Sequence, residues 1–261
     1  MASFGGDSVR APRVGDVAAV VLAVCLVGGL GYVLRPQHTA TVAPNLAAAP
    51  ISRPGSTDEP RKTMLFIGDS YVSGTGLDET SFGCMTAARM GWYCKVAAGP
   101  GTGYISGGPA NRFELEDIGE STSFNERVPG LAMQYKPDIV VLDGGRNDQF
   151  ASTRAVYDAM VSLISDVRRT WPAATVVVIR PRILSRPADD LGFDDAFFDR
   201  LRAEDITQHM VVVSDPIRRL IDTDTSSDVG NDGIHPSRQG EFALSSAFFD
   251  SLVEHGFVPA R

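Results

Sequence analysis

Positive charge is scarce in this sequence: 24 lysines and arginines face 32 aspartates and glutamates, giving a formal net charge of −8 and a pI near 5.0. The clustered basic surface that a phosphate-backbone binder needs is missing, so nucleic acid is excluded as a partner. Dinucleotide binding is excluded too. The glycine-rich turn Gly99-Pro100-Gly101-Thr102-Gly103 has Tyr104 where a G-x-G-x-x-G fingerprint requires its third glycine. No internal repeat is present. Histidine is limited to four positions and cysteine to three, so every candidate imidazole and every candidate disulfide can be considered in turn.

Residues 17–34, VAAVVLAVCLVGGLGYVL, carry no charge, and a helix of that length spans about 27 Å, close to the hydrocarbon thickness of a bilayer. The run reads as a transmembrane anchor, with a signal segment cleaved near Ala47-Ala48-Ala49 as the competing reading. Arg10 and Arg13 precede it, which makes residues 1–16 a cytoplasmic tail and sends the rest of the chain outward. The expected location is the cell membrane, single-pass, or the exterior after cleavage. Residues 35–62 are rich in Ala, Pro, Thr and Ser without apolar periodicity and read as an extracytoplasmic linker, leaving 63–261 for the folded domain. Cysteine usage agrees with export. Cys25 lies in the apolar run, while Cys84 and Cys94 bracket Gly91-Trp92-Tyr93 and are placed to form a disulfide, two free thiols being the alternative.

From Lys62 onward strands and helices alternate. Strands are expected at 63–68, 93–98, 138–143, 175–179 and 210–213, and helices at about 124–136, at 153–170 and at a stretch ending near His209. A closing helix carries Phe242, Leu244, Ala247, Phe248 and Leu252, and polar loops at 104–122 and 184–195 border a cleft. Runs such as Ile139-Val140-Val141-Leu142 are apolar on both faces, as strands of a parallel sheet covered on both sides must be. The expected fold is a three-layer α/β/α sandwich around a five-stranded parallel sheet.

The strand Met64-Leu65-Phe66-Ile67 runs directly into Gly68-Asp69-Ser70. A serine delivered this way sits at the carboxyl edge of the sheet, where open α/β sheets bind ligands. Ser70 is thus placed as a nucleophile, and it needs a base and oxyanion donors to act as one. His38 falls in the linker, His209 at a helix end and His255 near the C-terminus. His235 differs: in Asn231-Asp232-Gly233-Ile234-His235-Pro236, Gly233 permits a tight turn and Asp232 can hold one ring nitrogen while the other faces Ser70. Donors can come from Asn147, in Gly144-Gly145-Arg146-Asn147-Asp148, and from backbone N–H groups of the Gly99–Gly103 loop. The structural alternatives are a turn-forming asparagine and plain tight turns.

In this order the segments resemble the SGNH (GDSL-type) hydrolase family, exported bacterial type with an N-terminal membrane segment. Four sites carry the resemblance: Gly68-Asp69-Ser70 with Gly74 and Gly76, a glycine after the second strand, Gly145-x-Asn147-Asp148, and Asp232-x-x-His235. It spans about residues 63–255 and implies a flavodoxin-like sandwich with sheet order 2-1-3-4-5, an acyl-serine mechanism, no cofactor and no metal. It also implies Ser70 as nucleophile, His235 as general base and then acid, and Asp232 as its orienter. The oxyanion hole would be the N–H of Ser70, the N–H of Gly101 and the amide of Asn147. Ala97 and Ala98 stand where many members carry an asparagine, which leaves Gly99, Gly101 and Gly103 to be distinguished; Gly101 is favoured because Gly-Thr-Gly-Tyr follows the pattern of similar exported members. Asp148 is expected to brace its loop.

The function expected is a serine ester hydrolase of esterase or deacetylase type, acting on short-acyl esters of a polar or glycan alcohol. Polar loops, with Arg112, Arg146, Arg180 and Arg182 expected near the site, favour that substrate class. The alternatives are an acyltransferase using the same acyl-enzyme on envelope glycans, a lipid esterase, and a non-catalytic binding domain. No chemical residue is missing, which counts against the last.

Overall fold

The computed structural model describes residues 60–74, 77–115, 119–204 and 211–260. The expected tail (1–16), anchor (17–34) and nearly all of the linker (35–62) lie outside those residues, as do His209 and Met210. No helix among the described residues is long and apolar enough to cross a membrane.

Five strands form one parallel sheet: β1 (Thr63–Gly68), β2 (Tyr93–Ala98), β3 (Ile139–Asp143), β4 (Thr175–Ile179) and β5 (Val211–Ser214), in the spatial order β2-β1-β3-β4-β5. The order is the 2-1-3-4-5 arrangement expected. Register pairs Gly68 with both Ala98 and Asp143, Asp143 with Ile179, and Ile179 with Ser214. All five strands therefore end in one row, and the loops that follow them share one edge.

The helices are α1 (Ser70–Ser73), α2 (Phe82–Arg89), α3 (Phe124–Gln134), α4 (Thr153–Thr170), α5 (Asp195–Ala203) and α6 (Arg238–Glu254). Successive strand residues point to opposite faces. Leu65, Ile67, Val140, Leu142, Val176 and Val178 enter a core shared with α3, α4 and α5, whereas Met64, Phe66, Ile139, Val141, Val177 and Ile179 pack on the side of α2 and α6. Burial on both faces is what the unbroken apolar strand runs encode. The α4 stripe of Val156, Met160, Leu163, Ile164 and Val167 is buried in the first core.

Helix starts follow from local chemistry. Asp69, Ser81, Ser152, Asp194 and Ser237 each accept a backbone N–H of the helix they precede, and Ser123 forms a capping box in which its own N–H reaches Glu126 Oε2 at 2.8 Å. Each such cap is worth about 1 kcal/mol.

Several details depart from expectation. No periodic signal marks α2, which is short and contains Gly83; it is tied to β2 by the Cys84–Cys94 disulfide, with Cα atoms 5.2 Å apart. The 104–122 loop includes a small antiparallel hairpin, Glu114–Leu115 against Gly119–Glu120, too brief for an alternation pattern. Phe242 is 54% exposed rather than core. Two residues from Leu244, it lies about 200° away around the helix and off the inward stripe.

One buried acid couples the two helices on this face. Glu241, in the first turn of α6, accepts the Phe82 N–H at the start of α2 at 2.6 Å. Burial pushes its carboxyl up to about 7, against the pull of that hydrogen bond and with the charge of Asp143 adding to the rise. A folded-state value above the unfolded one favours the neutral acid, so this stability is fully present below about 4.5 and is lost as pH rises through about 7. Glu241→Gln is expected to gain about 2–3 kcal/mol relative to wild type between pH 5 and pH 8. Urea unfolding at the two pH values checks this; parallel stability curves would contradict it.

Candidate active site

The turn after β1 is tight because of what surrounds Gly68: a Cβ there would lie 2.9 Å from the Asp143 carbonyl and overlap Val72. Asp69 donates its N–H to that same carbonyl at 3.2 Å and caps α1 by accepting the Tyr71 N–H at 2.9 Å. Ser70 is thereby presented as the first residue of α1. Its Oγ lies 2.8 Å from His235 Nε2, and His235 Nδ1 lies 2.6 Å from Asp232 Oδ2.

The loop orients its own carboxylate. Asp232 Oδ1 accepts the N–H groups of Ile234 at 2.9 Å and His235 at 3.0 Å. The His235 hydrogen bond and these two amides hold the Asp232 carboxyl well below the usual range. A charged carboxylate only accepts, so Nδ1 carries the ring proton and the lone pair of Nε2 faces the Ser70 hydroxyl.

The glycine loop after β2 can now be resolved residue by residue. Gly99 donates its N–H to the Gly68 carbonyl at 3.1 Å, and Gly103 donates to the Ser106 carbonyl at 3.0 Å. Gly101, in the left-handed region at φ 73°, has an N–H with no acceptor among the described residues, and the Ser70 N–H likewise has none. Asn147 Nδ2 donates to the Thr102 carbonyl at 2.9 Å, which fixes the amide beside the Gly101 turn and leaves its second hydrogen available. Asp148 is fully buried and accepts the N–H groups of Tyr104, Ile105 and Ser106 at 2.9, 2.9 and 2.8 Å. It joins the loop after β3 to the loop after β2.

Beneath the site, sequence reasoning expected Arg146 but not its partners, and it missed Tyr71. Arg146 Nη1 lies 2.8 Å from Asp143 Oδ1 and 3.3 Å from Asp69 Oδ2, its Nε donates to the Arg182 carbonyl at 2.7 Å, and its guanidinium stacks 4.0 Å over the Tyr71 ring. Burial pushes the Asp69 carboxyl up to about 6, with Arg146 opposing the rise and Asp143 reinforcing it. Tyr71 Oη donates to the Ile234 carbonyl at 2.6 Å and accepts the Leu184 N–H at 3.0 Å. The residue next to Ser70 thus holds both the histidine loop and the loop after β4. Nothing local marks Tyr71, whose partner is 163 residues away.

The arginines expected around the site are placed differently. Arg112 pairs with Glu126 at 2.6 Å, Arg182 with Asp215 at 2.9 Å, and the buried Arg180 with Asp195. These pairs brace loops. Of the four, Arg146 contacts the Ser70 turn, and it does so from below with its charge met by two aspartates. Arg146, Arg180 and Arg182 have buried side chains, which explains their pairing, since an unpaired guanidinium there would be costly.

Residues 66–241 match the model of the GDSL-like lipase/acylhydrolase family. No curated protein shows significant sequence similarity to the chain. Among solved structures, the psychrotrophic esterase EstA from Pseudoalteromonas sp. is 17% identical with a TM-score of 0.53, covering 74% of this chain and 98% of its own. Est24, a carbohydrate acetylesterase from Sinorhizobium meliloti, is 18% identical with a TM-score of 0.51, covering 75% of this chain and 100% of its own. A family two carbohydrate esterase from Clostridium thermocellum, determined with cellohexaose, is 20% identical with a TM-score of 0.54 over 76% of this chain and 65% of that one. At these identities the likeness speaks to the fold. With a family model spanning Ser70 through Asp232 and His235, the chain belongs to the GDSL-like lipase/acylhydrolase family and is a carboxylic ester hydrolase.

Proposed function

We propose that the protein hydrolyses short-acyl esters of polar or glycan alcohols through an acyl-enzyme on Ser70. The observation that carries this reading is the continuous Ser70–His235–Asp232 hydrogen-bond chain, at 2.8 and 2.6 Å, beside two N–H groups with no acceptor among the described residues. Ser70 Oγ attacks the ester carbonyl as its proton passes to His235 Nε2, and Asp232 stabilises the imidazolium. The oxyanion accepts from the N–H groups of Ser70 and Gly101 and from the Asn147 amide. Collapse expels the alcohol, protonated by His235. Water then repeats the sequence on the acyl-serine, with His235 as base, and releases the acid.

Asn147→Ala is expected to lower kcat by about 10²–10³. p-Nitrophenyl acetate turnover checks it, and a variant retaining more than about one tenth of the wild-type rate would contradict the role.

The polar loops at the sheet edge, and a fold shared with a carbohydrate acetylesterase, support a polar alcohol with a small acyl group. A series of p-nitrophenyl esters of increasing chain length tests the acyl side: rates are expected to fall steeply beyond the shortest chains, and cleavage of long-chain esters alone would overturn it. The Cys84–Cys94 disulfide supports an oxidising, extracytoplasmic setting for the domain, held by residues 17–34 as a membrane anchor. Recovery of the full chain in the aqueous fraction without detergent would sink the anchor reading.

A further inference from the structure

Between the loop that carries Asn147 and the loop after β4 lies a cleft of about 530 Å³, within the range of small-molecule sites. Arg146 and Asp148, the neighbours of Asn147 in the chain, are part of its lining, so it borders the Asn147 turn. Leu191 and Phe193 supply an apolar wall, and Gln149, Arg186 and Asp189 supply polar groups.

These polar groups are linked in series. Gln149 Nε2 donates to the Leu191 carbonyl at 3.2 Å, Leu191 donates its N–H to Asp189 Oδ1 at 2.9 Å, and Asp189 Oδ2 pairs with Arg186 Nη1 at 2.9 Å. Leu191 is the one non-glycine residue with positive φ among those described, at 55°. A branched aliphatic residue adopts that conformation at a cost, and such strain gathers where a loop must hold a particular shape for a ligand. Here it turns the Leu191 carbonyl onto Gln149 and its N–H onto Asp189.

Charge defines what the cleft suits. The cations Arg146 and Arg186 are balanced in the lining by Asp148 and Asp189, and Arg146 is met again by Asp69 and Asp143 beneath it. A phosphorylated or carboxylated alcohol would find no uncompensated cation. A neutral polyol would find a carboxylate to accept from its hydroxyls, a guanidinium and an amide to donate to them, and an apolar wall for its carbon face.

We infer that this cleft is the alcohol subsite and that Gln149, Arg186 and Asp189 select a neutral sugar as the leaving group of the ester. The inference rests on the hydrolase reading of Ser70 and extends it to substrate class. The residues act by hydrogen bonding the alcohol portion, so truncating them weakens sugar esters more than esters lacking a sugar.

The test uses the full chain and two probes, 6-O-acetylglucose and p-nitrophenyl acetate, with Arg186→Ala, Asp189→Ala and Gln149→Ala. The ratio of kcat/KM for the sugar ester to kcat/KM for the aryl ester is expected to fall about tenfold or more in each variant, mainly through KM. The Arg186/Asp189 double variant is expected to lose little beyond either single one, because the pair acts as a unit. Ratios within about twofold of wild type in all three variants would overturn the subsite. Calorimetric binding of 6-O-acetylglucose to Ser70→Ala protein reads the cleft apart from the chemistry. Weaker binding on adding Arg186→Ala supports the subsite even if the wild type hydrolyses neither ester, a result that would instead count against Ser70. Unchanged binding overturns the subsite whatever the rates.

Discussion

Ser70→Ala is expected to lower kcat on p-nitrophenyl acetate by about 10⁴-fold or more, and His235→Ala by a similar factor. Both expectations come from one geometry. Among the described residues the hydroxyl's hydrogen-bond partner is the Nε2 nitrogen 2.8 Å away, and Asp232 holds the ring proton on the opposite side so that this nitrogen presents its lone pair. The two residues work as a unit, so the double variant is expected to be about as impaired as either single one. Asp232→Ala should cost less than either, because the Asp232 side chain is half exposed and water can partly replace it at Nδ1. Steady-state rates on folded variants check the set. A Ser70→Ala protein that kept even one hundredth of wild-type activity would remove the nucleophile from this account.

Arg146 carries the second large expectation, and it concerns stability. Asp69 and Asp143 are both fully buried, and Arg146 is the cation between them. Removing one partner from a buried charge cluster leaves the others uncompensated, at a cost of about 3–5 kcal/mol. Arg146→Met keeps much of the volume over Tyr71 while deleting the charge, so its loss in urea unfolding reads the electrostatics. The pH dependence has a definite sign. Without the guanidinium the Asp69 carboxyl rises further above its unfolded value, so the variant is most deficient at high pH and recovers relative to wild type as the acid becomes neutral. A loss below about 1 kcal/mol at pH 8 would mean that the cluster is less dependent on its cation than its burial implies.

The parts of the fold legible in the sequence were those written in local repeats. Unbroken apolar runs such as Ile139–Leu142 announced parallel strands covered on both faces, and the apolar stripe of 153–170 announced a helix. The sheet order came with the family resemblance, because strand order depends on crossovers that no local pattern records. The Ser70 turn and the Asp232–His235 loop were legible as segments because each packs its polar groups into a few consecutive residues. Choosing among Gly99, Gly101 and Gly103 was a matter of which N–H groups are already engaged, and that depends on Gly68 and Ser106 across space. Tyr71 and the partners of Arg146 stayed hidden for the same reason: Ile234, Leu184 and Asp69 are brought to them only by folding. The misplaced arginines make the converse point. A cation near a functional motif in sequence is as readily a buried brace, and Arg180 and Arg182 serve that way against Asp195 and Asp215.

The most direct test of the central claim is a pre-steady-state reaction of the full chain with p-nitrophenyl acetate, followed by intact-mass analysis and peptide mapping of the quenched protein. A stoichiometric burst of p-nitrophenol with one acetyl group on the peptide containing Ser70, absent in Ser70→Ala, is the predicted result. Turnover with no burst and no acetylated Ser70, or an acetyl group mapped to another side chain, would contradict the acyl-serine mechanism.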